Sequence, residues 1–526
     1  MRQLTGLDAA FLALDTPTST GNVGGVHILA GPDDDTHHDR PALTLERLTE
    51  LVQSRLHLVP PMRRRVVQVP LGLDEPYWIE DPDFDLEFHL RELALPAPGN
   101  ERQLTEQIAR IHARHLDRSR PLWEIYLIHG LEGGRTAVYA KLHHAMIDGI
   151  ASQEITAALL DLSPDGRDVG TGPQWQPDAV PGAAELLVRS AVSLVTRPRR
   201  AAGVALGLAR SSSGIFNHVI GPRLPGLGLD RLFETPRMLV QALGQPAGTG
   251  DHPDGEHVPV EHRTVDRSHE DDAEEGAPHV LFRTPVRAPG TPFNRPVSPH
   301  RRFAITSVAL ADVKAVKKAT GMTVNDVVMA ICAGGLRRWL SLHEALPRGP
   351  LVAAVPVSVR ARTRNKGGDR TYGNHVSLML ATQPTHLDDP VARLAVAHEA
   401  TRRAKEQHSA MPADLFGELY SVALPALVGL ASRANARLRV LERVNLFNLF
   451  ISNVPGPTIP LYLAGHRLVA SYPVSAITDG QGLNITVVSY LDRVNFGLVA
   501  DRELVPDLDL LADFLRQELE VLAAAC

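Results

Sequence analysis

The chain has 526 residues, of which 44% are hydrophobic, 22% charged and 5% aromatic, with a formal net charge of −6. At about 150 residues per domain this length exceeds one ordinary core, and the composition is that of a globular protein, not a disordered or membrane-spanning one. So small a net charge gives no pointer to nucleic acid, and the two cysteines, Cys332 and Cys526, exclude a disulfide scaffold or a cysteine zinc site and fit a reducing compartment.

The opening run MRQLTGLDAAFLALDTPTST carries Asp8, Asp15 and several threonines among its apolar residues. These interrupt it before a signal-peptide core or a spanning helix forms, so neither is expected. A strand is predicted from Asn22 to Ala30, then a helix from Leu43 to Leu56. A second helix runs from Glu101 to Leu116, with Leu104, Ile108 and Ile111 on one face. Strands follow at Trp123 to His129 and Thr136 to Leu142, the latter ending directly on His143. Ile150 to Leu160 reads as a helix with Asp148 or Gly149 at its start.

From Ser163 to Arg301 the chain becomes rich in Pro, Gly and charge and includes the acidic segment EDDAEE, Glu270 to Glu275. It reads as a linker, partly helical and partly disordered. Regular patterning returns with a strand at Phe303 to Val308, helices at Ala311 to Ala319 and Val324 to Leu340, and a strand at Leu351 to Val359. Gly334 and Gly335 are costly inside the second helix, which points to close packing against another backbone. Strands are predicted at His375 to Ala381, Phe450 to Ser452, Asn484 to Tyr490 and Val494 to Val499. The last helix, Leu508 to Leu522, repeats Leu511, Leu515, Leu519 and Leu522 on one side. The pattern predicts two α/β lobes with mixed sheets, residues 1–162 and 301–526, joined by a long connection over 163–300.

The run His143-His144-Ala-Met-Ile-Asp148-Gly149 stands out chemically. A neutral imidazole, with an unperturbed pKa of about 6.5, is a natural general base for an alcohol. Adjacent histidines at a strand end point in different directions, which favours one working and one structural residue over joint metal ligation. Asp148 can neutralise a buried arginine and stiffen the turn, and Gly149 permits a close backbone approach. On these residues alone an equally good account is a buried strand end followed by a capped helix.

The surrounding sequence PLWEIYLIHGLEGGRTAVYAKLHHAMIDG resembles the wax ester synthase/diacylglycerol acyltransferase family, which shares HHxxxDG with chloramphenicol acetyltransferases and peptide-synthetase condensation domains. The likeness continues, in family order, through LTGLDAAFLALDTPTSTGNVG, TPFNRPVSPHRRFA from Thr291, TVNDVVMAICAGGLRRWL from Thr323, PVSVR from Pro356, YGNHVS from Tyr372 and SNVPGP from Ser452. It implies two chloramphenicol-acetyltransferase-like lobes and a channel between them. In that channel His144 takes the acceptor's proton as the alcohol attacks the acyl-CoA thioester directly, without an acyl-enzyme. It also implies supporting roles for His143, Asp148 and Gly149, with Asp148 paired to an arginine; Arg63, Arg64, Arg65 and Arg360 are the candidates. Taken alone, the three consecutive arginines read as a solvated edge.

The same resemblance makes Asn325 and Asp326 a second activity-linked pair. Physically, Thr323 to Asp326 has the form of a helix capping box, which accounts for Asp326, whereas Asn325 could donate to the substrate or to a tetrahedral oxyanion. Pro455-Gly456 suits a type II turn with glycine at positive φ. The likeness sets Asn453, Pro455 and Gly456 beside the substrate channel; Trp123 on the PLW strand reads as core packing before substrate contact.

The function expected is acyl transfer from acyl-CoA to diacylglycerol, giving triacylglycerol in lipid biosynthesis and glycerol metabolism, with wax ester from a long-chain alcohol as a second product. Acyl-CoA is a substrate, and no cofactor or metal is expected. The rival readings are a non-catalytic lipid-droplet or membrane-binding protein of the same fold, and a condensation-type enzyme served by carrier proteins. Lipid substrates imply a cytoplasmic protein held peripherally on the inner membrane face or on lipid droplets. Two segments offer apolar residues interleaved with arginines for that contact, Leu186 to Arg210 and Leu419 to Val440.

Overall fold

Two six-stranded mixed sheets and one three-stranded sheet organise the protein. The computed structural model describes residues 1–32, 34, 42–146, 155–196, 288–358, 376–410 and 445–526. The N-terminal part supplies strand β1 (Arg2–Gln3), helix α1 (Gly6–Ala13), β2 (Asn22–Leu29), α2 (Leu45–Arg55), β3 (Arg64–Val67) and β4 (Tyr77–Glu80). It continues with the single turn α3 (Leu86–His89), β5 (Leu90–Ala94), α4 (Glu101–His112), β6 (Trp123–His129), β7 (Thr136–His143) and α5 (Ala183–Thr196). The C-terminal part supplies β8 (Arg301–Ala309), α6 (Leu310–Thr320), α7 (Val324–Leu342), β9 (Leu351–Ser358), β10 (Val376–Gln383) and α8 (Pro390–Ala410). After these come β11 (Leu449–Val454), β12 (Tyr462–Leu463), β13 (His466–Val474), β14 (Leu483–Tyr490), β15 (Arg493–Asp501) and α9 (Leu508–Ala525).

One large sheet has the order β10-β9-β11-β14-β15-β8 and the other β12-β13-β2-β7-β6-β5. Within them β5 runs parallel to β6, and β11 runs parallel to both β9 and β14, while the other pairs are antiparallel. The mixed two-lobe α/β architecture is therefore as expected.

The lobe boundaries are not those expected. β12 and β13, from the last seventy residues of the chain, complete the N-terminal sheet by pairing β13 with β2. The backbone makes room for this: a Cβ on Gly497 would lie 1.8 Å from the Pro473 carbonyl oxygen, so only glycine lets β15 approach β13 so closely. The C-terminal lobe also begins before residue 301. Phe293 is fully buried in its core, and Asn294 donates to the carbonyls of Asn448 and Gly480.

Local sequence explains the helices that set the site. α4 begins at an Asn100–Gln103 capping box and buries Leu104, Ile108 and Ile111 as one stripe, which packs against β8 of the other lobe. α7 begins at a Thr323–Asp326 capping box and is buried on nearly all sides, the pattern of a core helix. Its Gly334 and Gly335 meet α9: a Cβ on Gly334 would collide with Glu518, and one on Gly335 would lie 3.2 Å from the Leu515 backbone nitrogen. Among the described residues no single helix is long and apolar enough to cross a membrane.

Candidate active site at the paired histidines

β7 carries buried polar groups on alternate residues, Tyr139, Lys141 and His143, which the period of two places on one face. The first two meet the end of α4. Tyr139 Oη lies 2.8 Å from His112 Nδ1, and Lys141 Nζ donates to the Arg114 carbonyl at 2.7 Å. Asn22 on β2 donates to the His112 and Arg114 carbonyls at 2.9 and 2.8 Å. His112 Nε2 faces the Ser475 carbonyl at 3.1 Å, so that nitrogen carries the proton and Nδ1 accepts from Tyr139. Burial pushes the His112 imidazole down to about 3, with Lys141 and Arg301 adding to the effect, and pushes Lys141 down to about 8 against the pull of Glu124.

The two histidines are held differently. The His143 side chain is 1% exposed, and the Ala145 N–H donates to its Nδ1 at 3.1 Å. Nε2 must therefore carry the proton, and it donates to Asp15 Oδ1 at 3.1 Å. The His143 N–H donates to the Leu122 carbonyl, so the Pro121-Leu122-Trp123 signature braces the turn through its backbone. His144 is half-buried and lies flat on Phe11 of α1, with ring centroids 3.9 Å apart and planes within 9°. Its N–H donates to the Gly21 carbonyl at 2.8 Å. Gly21 cannot carry a side chain here, because a Cβ would lie 2.8 Å from His143 Cε1 and Nε2.

Asp15, which composition flagged only as an interruption of the apolar N-terminus, organises this turn. It accepts from Gly21 N–H at 2.7 Å, from Arg118 at 3.0 Å and from His143. Burial would raise its carboxyl, but the hydrogen bonds it accepts from His143, the Gly21 N–H and Arg118 outweigh burial and hold it well below the usual carboxylate range.

The C-terminal lobe brings Asn325 and Asn453 together, Asn453 Nδ2 donating to Asn325 Oδ1 at 3.2 Å. Asp326 takes the capping position: its Oδ2 accepts from Thr323 N at 3.0 Å, Thr323 Oγ1 at 2.7 Å and His398 Nδ1 at 2.7 Å. It is 2% exposed and anchors the start of α7. One expectation is corrected. Gly456 is not at positive φ; it is required because a Cβ would lie 1.9 Å from the Ser489 carbonyl oxygen, where the chain after β11 passes β14. Trp123 packs in the core, as the sequence favours: its indole N–H donates to the Met62 carbonyl at 2.8 Å and its ring stacks on His89 at 4.2 Å. Pro455, the remaining residue of that segment, is exposed.

Asp148, Gly149 and Arg360 lie outside the described residues. Of the other arginines proposed for Asp148, Arg64 pairs with Glu80 at 2.7 Å, Arg65 lies 3.3 Å from Asp81, and Arg63 sits over the Trp175 ring at 5.4 Å. The triplet is thus half-buried and engaged, not a solvated edge. Among the described residues no group of three or more His, Cys, Asp and Glu side chains is arranged to hold a metal ion.

The sequence matches the family described as wax ester synthase/diacylglycerol acyltransferase catalytic domain over residues 4–223 and 257–328, and its C-terminal domain over 372–523. It is 32% identical over 524 residues to the O-acyltransferase WSD of Acinetobacter baylyi, covering 99% of this chain and 97% of that protein. With the probable diacylglycerol O-acyltransferase tgs2 of Mycobacterium tuberculosis it shares 33% identity over 525 residues, 98% of each chain. The fold matches the wax ester synthase/diacylglycerol acyltransferase of Marinobacter aquaeolei with a TM-score of 0.62 at 27% identity, covering 99% of this chain and 98% of that one. It also matches the first condensation domain of the calcium-dependent antibiotic synthetase, with a TM-score of 0.51 at 16% identity, covering 99% of this chain and 97% of that one. The chain belongs to the wax ester synthase/diacylglycerol acyltransferase family.

Proposed function

We propose that this acyltransferase joins the acyl group of acyl-CoA to the hydroxyl of diacylglycerol, with long-chain alcohols as further acceptors and His144 as general base. The observation that carries the assignment of the base is the commitment of both His143 ring nitrogens, Nδ1 to the Ala145 N–H and Nε2 to Asp15. A base must receive a proton, and His143 has no ring position left for one, so that work falls to His144. His144 withdraws the hydroxyl proton as the alcohol oxygen attacks the thioester carbonyl. The tetrahedral intermediate collapses with loss of the CoA thiolate, which recovers the proton from His144. With Asn325 Oδ1 held by Asn453, the group Asn325 offers the developing oxyanion is its Nδ2 amide. Acyl-CoA and acceptor enter the channel between the lobes from opposite sides.

For lipid access we propose peripheral contact with the cytoplasmic membrane face or with lipid droplets. α5, which holds the described part of the Leu186 to Arg210 stretch, supports this by leaving Val188 64% and Val192 57% exposed while burying Leu186 and Ser190. Leu419 to Val440 lies outside the described residues.

The test is turnover of labelled acyl-CoA with a panel of diacylglycerol, monoacylglycerol and fatty alcohols, products identified by mass. His144→Ala should lower kcat by about 100-fold or more. Near-normal turnover in that variant would exclude His144 as the base, and an unmodified panel would favour a non-catalytic lipid-binding role.

A further inference from the structure

The turn from Asp15 to Gly21 touches both histidines and both lobes. Its first residue accepts from His143 Nε2 and its last accepts the His144 N–H. Between them, Thr18 accepts from Arg301 of β8 at 2.6 Å, and Ser19 Oγ donates to the Ile477 carbonyl at 3.1 Å. On the N-terminal side the turn is pinned by Arg118 on Asp15 and by His115 Nε2, 2.8 Å from the Thr16 carbonyl. Asp15 closes the turn on itself through the Gly21 N–H at 2.7 Å, so the carboxylate fixes the same residue whose carbonyl holds His144.

We infer that Asp15 is a positioning residue for the transfer reaction, acting through His143 and the Gly21 backbone to set the place of the His144 ring. A single carboxylate does two jobs here. It accepts the hydrogen bond from His143 Nε2–H, which keeps Nδ1 as acceptor for Ala145 and so shapes the peptide that follows His144. It also holds Gly21, without whose carbonyl the His144 N–H loses its partner. A group that only orients the base changes the rate of the chemical step more than the affinity for substrate, since a misplacement of about 1 Å can cost 100-fold in rate.

This inference rests on His144 being the base, and the experiment separates the two. Steady-state kinetics with long-chain acyl-CoA and diacylglycerol are compared for wild type, Asp15→Asn, His143→Gln, the double variant and His144→Ala, with thermal unfolding of each. Asp15→Asn should lower kcat by about 10- to 100-fold with KM for acyl-CoA within about twofold. The double variant should be no slower than the worse single, because the two residues act as one unit. Losses that multiply in the double variant, or a wild-type kcat in Asp15→Asn beside an inactive His144→Ala, overturn the positioning role alone. Retained turnover in His144→Ala overturns the reading beneath it. If Asp15→Asn does not accumulate folded, Asp15→Glu, which keeps the charge but displaces it, takes its place with the same two outcomes.

Discussion

At the scale of single residues, the paired histidines are held by hydrogen bonds that join distant parts of the chain. The partner of His143 lies 128 residues away, so nothing in the local pattern around HHAMIDG marks Asp15. By contrast, the capping role of Asp326 was legible because Thr323 and Asp326 stand three apart at a helix start. What the pattern did not reveal is the third partner, His398, reached from α8. Asp326→Ala removes the acceptor for all three donors, and we expect a loss of about 1–3 kcal/mol in unfolding free energy, read by denaturant titration. A loss confined to kcat, with unchanged stability, would place Asp326 in the chemistry.

At the scale of elements, strands and helices with strong periodicity were legible within a few residues: Trp123–His129, for instance, is the strand predicted. The small sheet of β1, β4 and β3 was not, because strands of two to four residues carry no usable alternation. β13 escaped notice because its pairing to β2 crosses more than four hundred residues. The glycine pair in α7 shows packing overruling propensity. Ala at Gly334 gains about 1 kcal/mol of helix propensity, yet its Cβ would stand 2.0 Å from Glu518 Cδ and displace the buried Glu518 from Arg393. Breaking a buried ion pair costs about 3–5 kcal/mol, so Gly334→Ala should lower the unfolding midpoint despite the better helix former. A raised midpoint would show that α7 and α9 can separate at no cost.

For the molecule as a whole, buried neutral histidines give stability a direction with pH. Burial pushes His89 down to about 4 and His112 down to about 3, while in the unfolded chain both titrate near 6.5. Below pH 6.5 the unfolded state therefore binds more protons than the folded one. Stability is full above that pH and falls as pH drops toward about 4, by about 1.4 kcal/mol per unit for each histidine. Urea titrations at pH 7.5, 6 and 5 should show this slope, and His112→Asn should reduce it; a flat profile would mean that these rings charge inside the fold. The two-lobe class and the acyltransferase chemistry were legible through the family signatures, whereas the crossing of β13 was not. That crossing ties assembly to the order of synthesis. During translation β2 stands as an open sheet edge until residues 466–474 have been made, well after β5, β6 and β7. A chain stopped before residue 466 would present unpaired backbone beside the very strand that leads out of the histidine turn, so a nascent N-terminal lobe depends on chaperone cover or on speed to escape edge-to-edge aggregation.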